Sequence, residues 1–514
     1  MTEKKIPDPD KRLEQVKGRA EEVKSKVRAA AKDAVAEHRE NLPSPTEIRS
    51  KRKRLSRAHH MAIPWHDTID EASMENEEAA AALSEEPDSP EEACQNCCAV
   101  QATLKDKTTF IGRIGIMFLS VGTGAWRVRE SLNTVSRALG VTSSADIGLM
   151  SLELTCFYEN ESYTETFNLH TSGVNTDKLK ALEAFVREFP GEVENYTIDE
   201  FHQQLDKIKN IPGNYKPWNV GLASAIACCA FTFLLGGGIP EMICAFFGAG
   251  AGNWLRRRML DRKIALIGCI IASVAFACAV YVGCITFAEH ALHVSSLHEV
   301  GYICSMLFII PGFPLITGGI DLAKLDMRSG LERLAYALFI ITVATLTGWV
   351  TALILRFEPG DFVPLSLGPV EYCLLRLVAS FFGVYGFSLM FNSPRKMAAL
   401  AGLIGMIANT LRLELVDLAH LPVGIAAFIG AFVAGLMAWF AKQKAGYPRI
   451  SLTVPSIVIM VPGLFMYRGL YYLGMTNISD GAQWLIKAIL MVIALPLGLV
   501  LAQVITDKEF RHCS

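Results

Sequence analysis

Long apolar runs are the feature of this sequence that most constrains its fold. From about Trp218 onward, such runs alternate with short polar breaks. A helix needs about 20 apolar residues to cross the roughly 30 Å hydrocarbon core of a bilayer. The sequence therefore predicts a mainly α-helical, polytopic membrane protein that lies in the lipid bilayer. The ten candidate spans are residues 218–237, 239–255, 264–287, 299–320, 334–355, 372–391, 397–412, 421–441, 451–471 and 483–504.

The positive charges in the loops predict how these spans are oriented. The loops after the second, fourth, sixth and eighth spans, together with the C-terminal tail, contain fifteen Lys and Arg residues. The loops on the other side contain at most two, Arg356 and Arg412. Because positively charged loops are retained in the cytoplasm, we expect a multi-pass protein with both termini cytoplasmic.

The polar N-terminal part predicts two regions. Residues 1–107 are rich in charged residues and Ala but have neither an apolar stripe nor a signal region, which favours a disordered or loosely helical tail that is not exported. Residues 108–210 predict a small cytoplasmic α+β domain. Its expected helices are Thr109–Leu119, Trp126–Leu139, Thr176–Phe189 and Ile198–Lys209, and its expected strands are Ile147–Phe157 and Tyr163–Leu169.

The membrane part divides into two halves with matching landmarks, residues 218–356 and 366–505. Pro311-Gly312 is followed by Gly330 nineteen residues after the proline, and Pro462-Gly463 is followed by Gly481 at the same offset. An Asn-x-Leu-Arg sequence also ends the second span of each half. Because each half has five spans, an odd number, we predict two inverted five-helix repeats, an arrangement that recurs in transporters.

The repeated landmarks are candidate substrate-binding residues. Proline removes a backbone donor and frees a carbonyl group one turn back, which costs several kcal/mol in lipid unless a cavity or a substrate replaces the partner. The alternative is that the prolines form ordinary kinks and that the asparagines join two helices. The candidates are Pro311, Gly312, Pro462, Gly463, Asn253 and Asn409.

Charged residues within the spans are candidates for proton coupling or for binding a charged substrate group. Charges are costly in a bilayer and are usually functional or paired. Snorkelling or pairing near the interface is the structural alternative for the charges within the spans. For Asp321, which directly follows the fourth span, the alternative is an ordinary loop residue. The candidates are Asp321, Glu241, Arg376, Arg468 and Lys487.

Other chemistry finds little support in the sequence. A net charge of −2 argues against nucleic-acid binding. Cys94, Cys97 and Cys98 lack a second cysteine pair, so we predict neither a metal site nor a cofactor. His170-Thr171-Ser172 is a weak candidate for a nucleophile with its base, and we expect no enzyme.

Several motifs, in their order along residues 108–505, resemble the threonine/serine exporter family. The motifs that carry this resemblance are Gly122-x-Gly124-Ala125, Arg127-Val128-Arg129-Glu130, Leu139-Gly140, Asp177–Leu182, Pro311-Gly312-Phe313-Pro314, Asp321, Ser329-Gly330, and Pro455 to Pro462-Gly463. The long N-terminal tail departs from the family pattern.

The resemblance implies an inner-membrane secondary exporter of small neutral amino acids, L-threonine or L-serine, driven by the proton gradient. Two alternatives stay open: a membrane-anchored hydrolase that uses residues 108–210, since the family's cytoplasmic domain has been suspected of hydrolytic activity, and a carrier of another small carboxylate such as a dicarboxylate. The oligomeric state is also open, and a homo-oligomer is compatible with the sequence.

Overall fold

The structure, a computed structural model, describes residues 98–292, 301–356, 365 and 367–511. Most of the predicted tail, including Cys94 and Cys97, lies outside these residues. The described part consists mainly of helices together with one small sheet.

The α+β domain comes first in the described chain. Its helices α1 to α4 are Leu104–Ser120, Ala125–Ala138, Thr176–Glu192 and Ile198–Lys209. Its strands β1 to β3 are Thr142–Ile147, Ser151–Tyr158 and Glu161–Asn168, and they form an antiparallel sheet of order β1-β2-β3. The side chains of Thr103, Asn175 and Thr197 cap α1, α3 and α4 by accepting a backbone hydrogen bond.

The four predicted helices and the predicted hairpin of this domain are confirmed, but the sequence missed β1. Its sequence, TSSADI, lacks the apolar alternation from which a half-buried strand is predicted. β1 is an edge strand that pairs only with β2, from Thr142 opposite Phe157 to Ile147 opposite Leu152. The pairing therefore comes from the neighbouring strand rather than from a pattern in β1 itself.

Aromatic packing holds the helices of the domain together. The ring of Phe189 lies 5.4 Å from that of Phe110 and 4.7 Å from that of Phe201. These three side chains come from α3, α1 and α4 and are fully buried. The contacts fix the helices around one core next to β2 and β3, which pack against α1.

The remaining helices form the membrane part. In order, α5 to α17 are Pro217–Leu234, Ile239–Asp261, Leu266–Leu292, Gly301–Cys304, Gly312–Ala323, Met327–Leu355, Pro369–Met390, Arg395–Asp417, Val423–Ala445, Arg449–Val458, Gly463–Gly474, Ile478–Thr506 and Lys508–Arg511. A short 3-10 helix, Leu307–Ile309, lies between α8 and α9.

The described residues contain seven helices that are long and apolar enough to cross a membrane, and two bent helix pairs that raise the number of spans to nine. The predicted second span lies in α6, which has 23 residues but carries Glu241 near its start and Arg256 to Arg258 near its end. α6 is not among the seven helices, because these charges together with Asn253 and the glycines lower its mean hydropathy. A many-span membrane protein is confirmed, whereas ten spans remain a prediction that depends on α6.

The two halves of the membrane part share helix lengths and backbone details. α9 and α15 each have 12 residues, α10 and α16 each have 29, and α6 and α12 each have 23. Leu325 and Thr476 occupy the same place, just before α10 and α16, and both have a positive φ, of 65° and 62°. A constant offset of 151 residues thus relates α9–α10 to α15–α16.

Candidate functional site

Two broken helices form the centre of the candidate site. The chain bends by 62° between the 3-10 helix and α9, and by 49° between α14 and α15. At each bend a proline precedes the new helix with nearly the same backbone angles, φ −80° and ψ 61° for Pro311 and φ −79° and ψ 54° for Pro462. The amide of the next glycine donates across the proline at 2.8 Å, to Ile310 and to Val461. Both breaks are therefore inverse γ-turns.

The two breaks pack against each other reciprocally. A Cβ atom added to Gly312 would lie 2.4 Å from Cγ2 of Val458, and one added to Gly463 would lie 2.3 Å from Cδ1 of Ile310. Each glycine thus receives an apolar side chain from the segment before the other break. The absence of a side chain at both positions is what lets the two halves approach this closely.

Small cavities lie beside this contact. Their volumes are about 10 and 20 Å³, so each holds about one water and neither holds an amino acid. The breaks are therefore closed in this structure. The first cavity is lined by Met306, Leu307, Ile309, Ile310, Ile341, Ala344, Thr345, Gly463 and Tyr467, and the second by Phe231, Leu307, Ile310, Gly312, Phe387, Val458, Val461 and Gly463.

Tyr467 is a lining residue that the sequence reasoning missed. It is 2% exposed, and its hydroxyl group has no hydrogen-bond partner among the described residues. An unpaired buried hydroxyl is costly. Within the sequence, only its position four residues after Gly463 on α15 pointed to a role in the site. A single tyrosine in an apolar helix is not a distinctive signal.

The two asparagines lie apart from the cavity linings. Asn409 donates to the Ser380 hydroxyl at 2.9 Å, which joins α12 to α11. Asn253 approaches the Val220 carbonyl of α5 at 3.5 Å. Both side chains are buried. Their contacts fit the helix-joining alternative, and their role in substrate binding stays a prediction.

Asp321 lies in a buried ion pair where the α+β domain meets α9 and α10. Its Oδ2 is 3.2 Å from Nε of Arg333, and both side chains are at most 2% exposed. Arg333 also donates to the Thr123 carbonyl at 2.6 Å. Asp321 itself lies against Gly124, at the N-terminus of α2, where a helix favours a negative charge. Removing one partner of such a pair costs about 3–5 kcal/mol.

A second contact joins the domain to the turn between α11 and α12. The Thr176 and Ser393 hydroxyls are 2.7 Å apart, and the Thr176 amide donates to the Phe391 carbonyl at 3.1 Å. Asn392 donates to Asn175 at 3.0 Å. The domain therefore holds one turn from each half of the membrane part.

The other charged candidates lie outside the cavity linings. Arg376 pairs with Glu414 at 2.9 Å and with Asp417. Arg468 and Lys487 lie over the ring of Trp484, at 4.9 and 5.1 Å from its centre.

Glu241 is buried more deeply than these three cations. It is 0% exposed and packs against Gly301 at the start of α8. Each of the three cations, Arg376, Arg468 and Lys487, has an aromatic or carboxylate neighbour, as the structural alternative predicts.

His170 shows no catalytic arrangement within the described residues. Its side chain is exposed, and no hydrogen bond joins it to the neighbouring hydroxyls. The Ser172 hydroxyl instead donates to the Leu119 carbonyl at 3.3 Å. The pair that a hydrolase would need is not formed here.

Two family models match the chain. The family described as a putative threonine/serine exporter matches residues 109–356, and the one described as threonine/serine exporter, ThrE, matches residues 376–505. Together they cover the α+β domain and both halves of the membrane part.

Curated relatives are named as membrane or transport proteins. The probable succinate transporter subunit YjjP of Escherichia coli (strain K12) is 27% identical over 253 residues, 46% of this chain and 90% of that protein. A probable threonine/serine exporter of Mycobacterium tuberculosis is 21% identical over 409 residues, 76% of this chain and 74% of that protein. The pheromone-regulated membrane protein 10 of Debaryomyces hansenii is 22% identical, over 70% of this chain and 36% of its own length. No solved structure matches.

The reciprocal contact predicts a specific rescue. Gly463→Ala should destabilise the protein by about 1–3 kcal/mol, because the new methyl group overlaps Cδ1 of Ile310. Ile310→Val removes only that atom, so the double variant should recover most of the loss. Melting temperatures of the four proteins in detergent, arranged as a double-mutant cycle, measure the coupling. Additive losses would mean that the two residues do not touch.

Proposed function

The chain belongs to the threonine/serine exporter family, and we propose that it is a secondary active transporter that exports a small neutral amino acid, L-threonine or L-serine, in exchange for protons. The observation that carries this proposal is the reciprocal contact between the two Pro-Gly breaks. Where interrupted helices meet at the centre of a membrane protein, some backbone groups lack a hydrogen-bond partner within the helix. A bound substrate takes the place of those partners. Pro311, Gly312, Pro462 and Gly463 would form this site. Asn253 and Asn409, which lie apart from the cavities in this closed state, would contact the substrate only after the helices move.

The contacts of the α+β domain support inverted halves. Arg129 of the domain pairs with Asp326 in the α9–α10 turn, and Thr176 contacts Ser393 in the α11–α12 turn, so both turns lie on the domain's side of the membrane. If α5 to α10 cross in succession, the α5–α6 turn lies on the other side. The α11–α12 turn, which corresponds to it in the second half, would then face the opposite way. We place the domain and both termini in the cytoplasm.

Proton coupling would use the two buried carboxylates. Asp321 lies at the cytoplasmic end of α9, and Glu241 lies at the start of α6, toward the outer side in this topology. A charged group buried in a bilayer is usually paired or functional, which makes both carboxylates candidates for carrying the coupling proton. Arg376, Arg468 and Lys487 would contribute positive charge toward the outer side.

A second candidate substrate is a small dicarboxylate. The observation that favours it is the 27% identity to a probable succinate transporter subunit. Such a substrate carries two negative charges, so its carrier needs positive groups at both ends of the site.

Reconstituted vesicles separate these candidates. Counterflow of labelled L-threonine, L-serine and succinate should show exchange of L-threonine or L-serine well above protein-free vesicles. A protonophore should abolish uphill movement and leave exchange intact. Exchange of succinate alone would favour the second candidate, and no exchange of any of the three would contradict a carboxylate carrier. Uphill movement that survives the protonophore would exclude proton coupling.

We also propose that the α+β domain clamps the cytoplasmic side of the transporter. Opening the site toward the cytoplasm requires the two halves to move apart there. The domain contacts both halves, through Arg333 on α10 in the first and through Ser393 in the α11–α12 turn in the second. It must release one of these contacts in every transport cycle.

A reversible disulfide tests the clamp. Thr176→Cys with Ser393→Cys should cross-link on oxidation, because the two hydroxyl oxygens are 2.7 Å apart, and transport should stop until a reductant is added. Ser136→Cys with Ser143→Cys is the matched control, since these hydroxyls are 2.8 Å apart within the domain. Oxidation of the control should leave transport unchanged. Full transport with the Thr176–Ser393 cross-link closed would show that the domain does not need to release.

A further inference from the structure

The two buried tyrosines near the breaks differ in how their hydroxyl groups are satisfied. Tyr302 donates to the Gly348 carbonyl at 2.6 Å. Tyr467 lines the first cavity, and its hydroxyl has no hydrogen-bond partner among the described residues. Natural proteins rarely leave a buried hydroxyl unpaired, so this hydroxyl needs a partner from outside the described chain, such as a water or a substrate group.

Free backbone donors lie at the same end of the helix. α15 begins at Gly463, and the amides of Leu464 and Phe465 donate to no acceptor in the part of the chain that the structure describes. Gly463 and Tyr467 line the same cavity, which places the tyrosine beside this end of the helix. Together they provide donors at the positive end of a 12-residue helix.

The matching end of α9 lacks most of these donors. Pro314 takes the place of Phe465 and has no amide hydrogen, and Ile316 takes the place of Tyr467. The backbone turns before both helices are alike, so the difference comes from the side chains and from the missing amide. Only the second half offers a complete set of donors for an anionic group.

We propose, on the basis of the transport function above, that the Tyr467 hydroxyl and the N-terminus of α15 bind the carboxylate group of the substrate. Ile309 lines the same cavity, and its carbonyl accepts no hydrogen bond among the described residues, so it fits an ammonium group. No charged side chain lines either cavity. A site with one anion-binding end and one carbonyl end selects an α-amino acid over a dicarboxylate, which needs an anion-binding group at both ends.

Tyr467→Phe tests the hydroxyl. In counterflow with labelled L-threonine, we expect the half-saturation concentration to rise about tenfold or more, the usual result of losing a hydrogen bond to a charged group. The melting temperature should not fall, because the lost hydroxyl has no partner in the protein. Tyr302→Phe is the control: it loses a satisfied hydroxyl, so it should lower the melting temperature while its half-saturation concentration stays the same.

Phe465→Pro tests the amide without relying on the tyrosine. Proline already occupies this position in α9, so the backbone accepts it, and Phe465→Ala removes the same ring contact with Trp484 while keeping the amide. We expect Phe465→Pro to bind L-threonine about tenfold or more weakly than Phe465→Ala. The amino alcohol threoninol, which lacks the carboxylate, should compete equally weakly with both.

The outcomes separate this inference from the proposed function. Suppose that the wild type transports, that Tyr467→Phe keeps the same half-saturation concentration, and that Phe465→Pro and Phe465→Ala have equal half-saturation concentrations. That result would overturn the carboxylate site and leave the transport function intact. A wild type that moves succinate but neither amino acid would overturn the assignment of one end of the site to a carboxylate and the other to an ammonium group. A wild type that moves no carboxylate at all would overturn both proposals.

Discussion

The packing of each helix break against the glycine of the other break is the constraint on which the rest of the membrane part depends. Hydrocarbon cannot satisfy backbone groups, so an interrupted helix has to be buried in protein or face a polar cavity. Here each break is buried by the other, with Ile310 over Gly463 and Val458 over Gly312. A contact of this kind between matching segments is also the place where two halves would separate. The same packing that stabilises the closed state thus defines where it opens.

The α+β domain adds a second constraint at one side of the membrane. Its loop between α1 and α2 supplies carbonyl groups to Arg333, and α2 starts against Asp321. A buried ion pair rarely adds net stability, but breaking it is expensive, so it favours one arrangement over all others. In the clamp proposed above, this pair is the contact by which the small domain holds α9 and α10.

The sequence predicted what depends on local composition. The length of the apolar runs predicted the spans. The Pro-Gly pairs predicted both breaks, because proline and glycine act on the conformation of their own backbone. The predicted second span lies in α6, a 23-residue helix with charges near both ends, which is not among the seven helices that are long and apolar enough to cross a membrane. β1 was missed because its pairing partner, not its own pattern, makes it a strand.

Residues that act across distant segments could not be predicted in this way. Arg333 was counted among loop cations, although it lies fully buried on α10 between Asp321 and Thr123. Tyr467 became a candidate only when the structure showed its hydroxyl buried and unpaired. In each case the signal is a contact between residues far apart in the chain, and one sequence does not record such contacts.

Side-specific labelling tests the central claim, that two oppositely oriented halves meet at broken helices. Leu325 and Thr476 occupy matching exposed turns of the two halves, at the constant offset of 151 residues. Single cysteines at these positions, in a protein whose reactive native cysteines have been replaced, should react with a membrane-impermeant reagent from opposite sides. Leu325→Cys should react from the cytoplasm and Thr476→Cys from outside. Reaction of both from the same side would contradict the account.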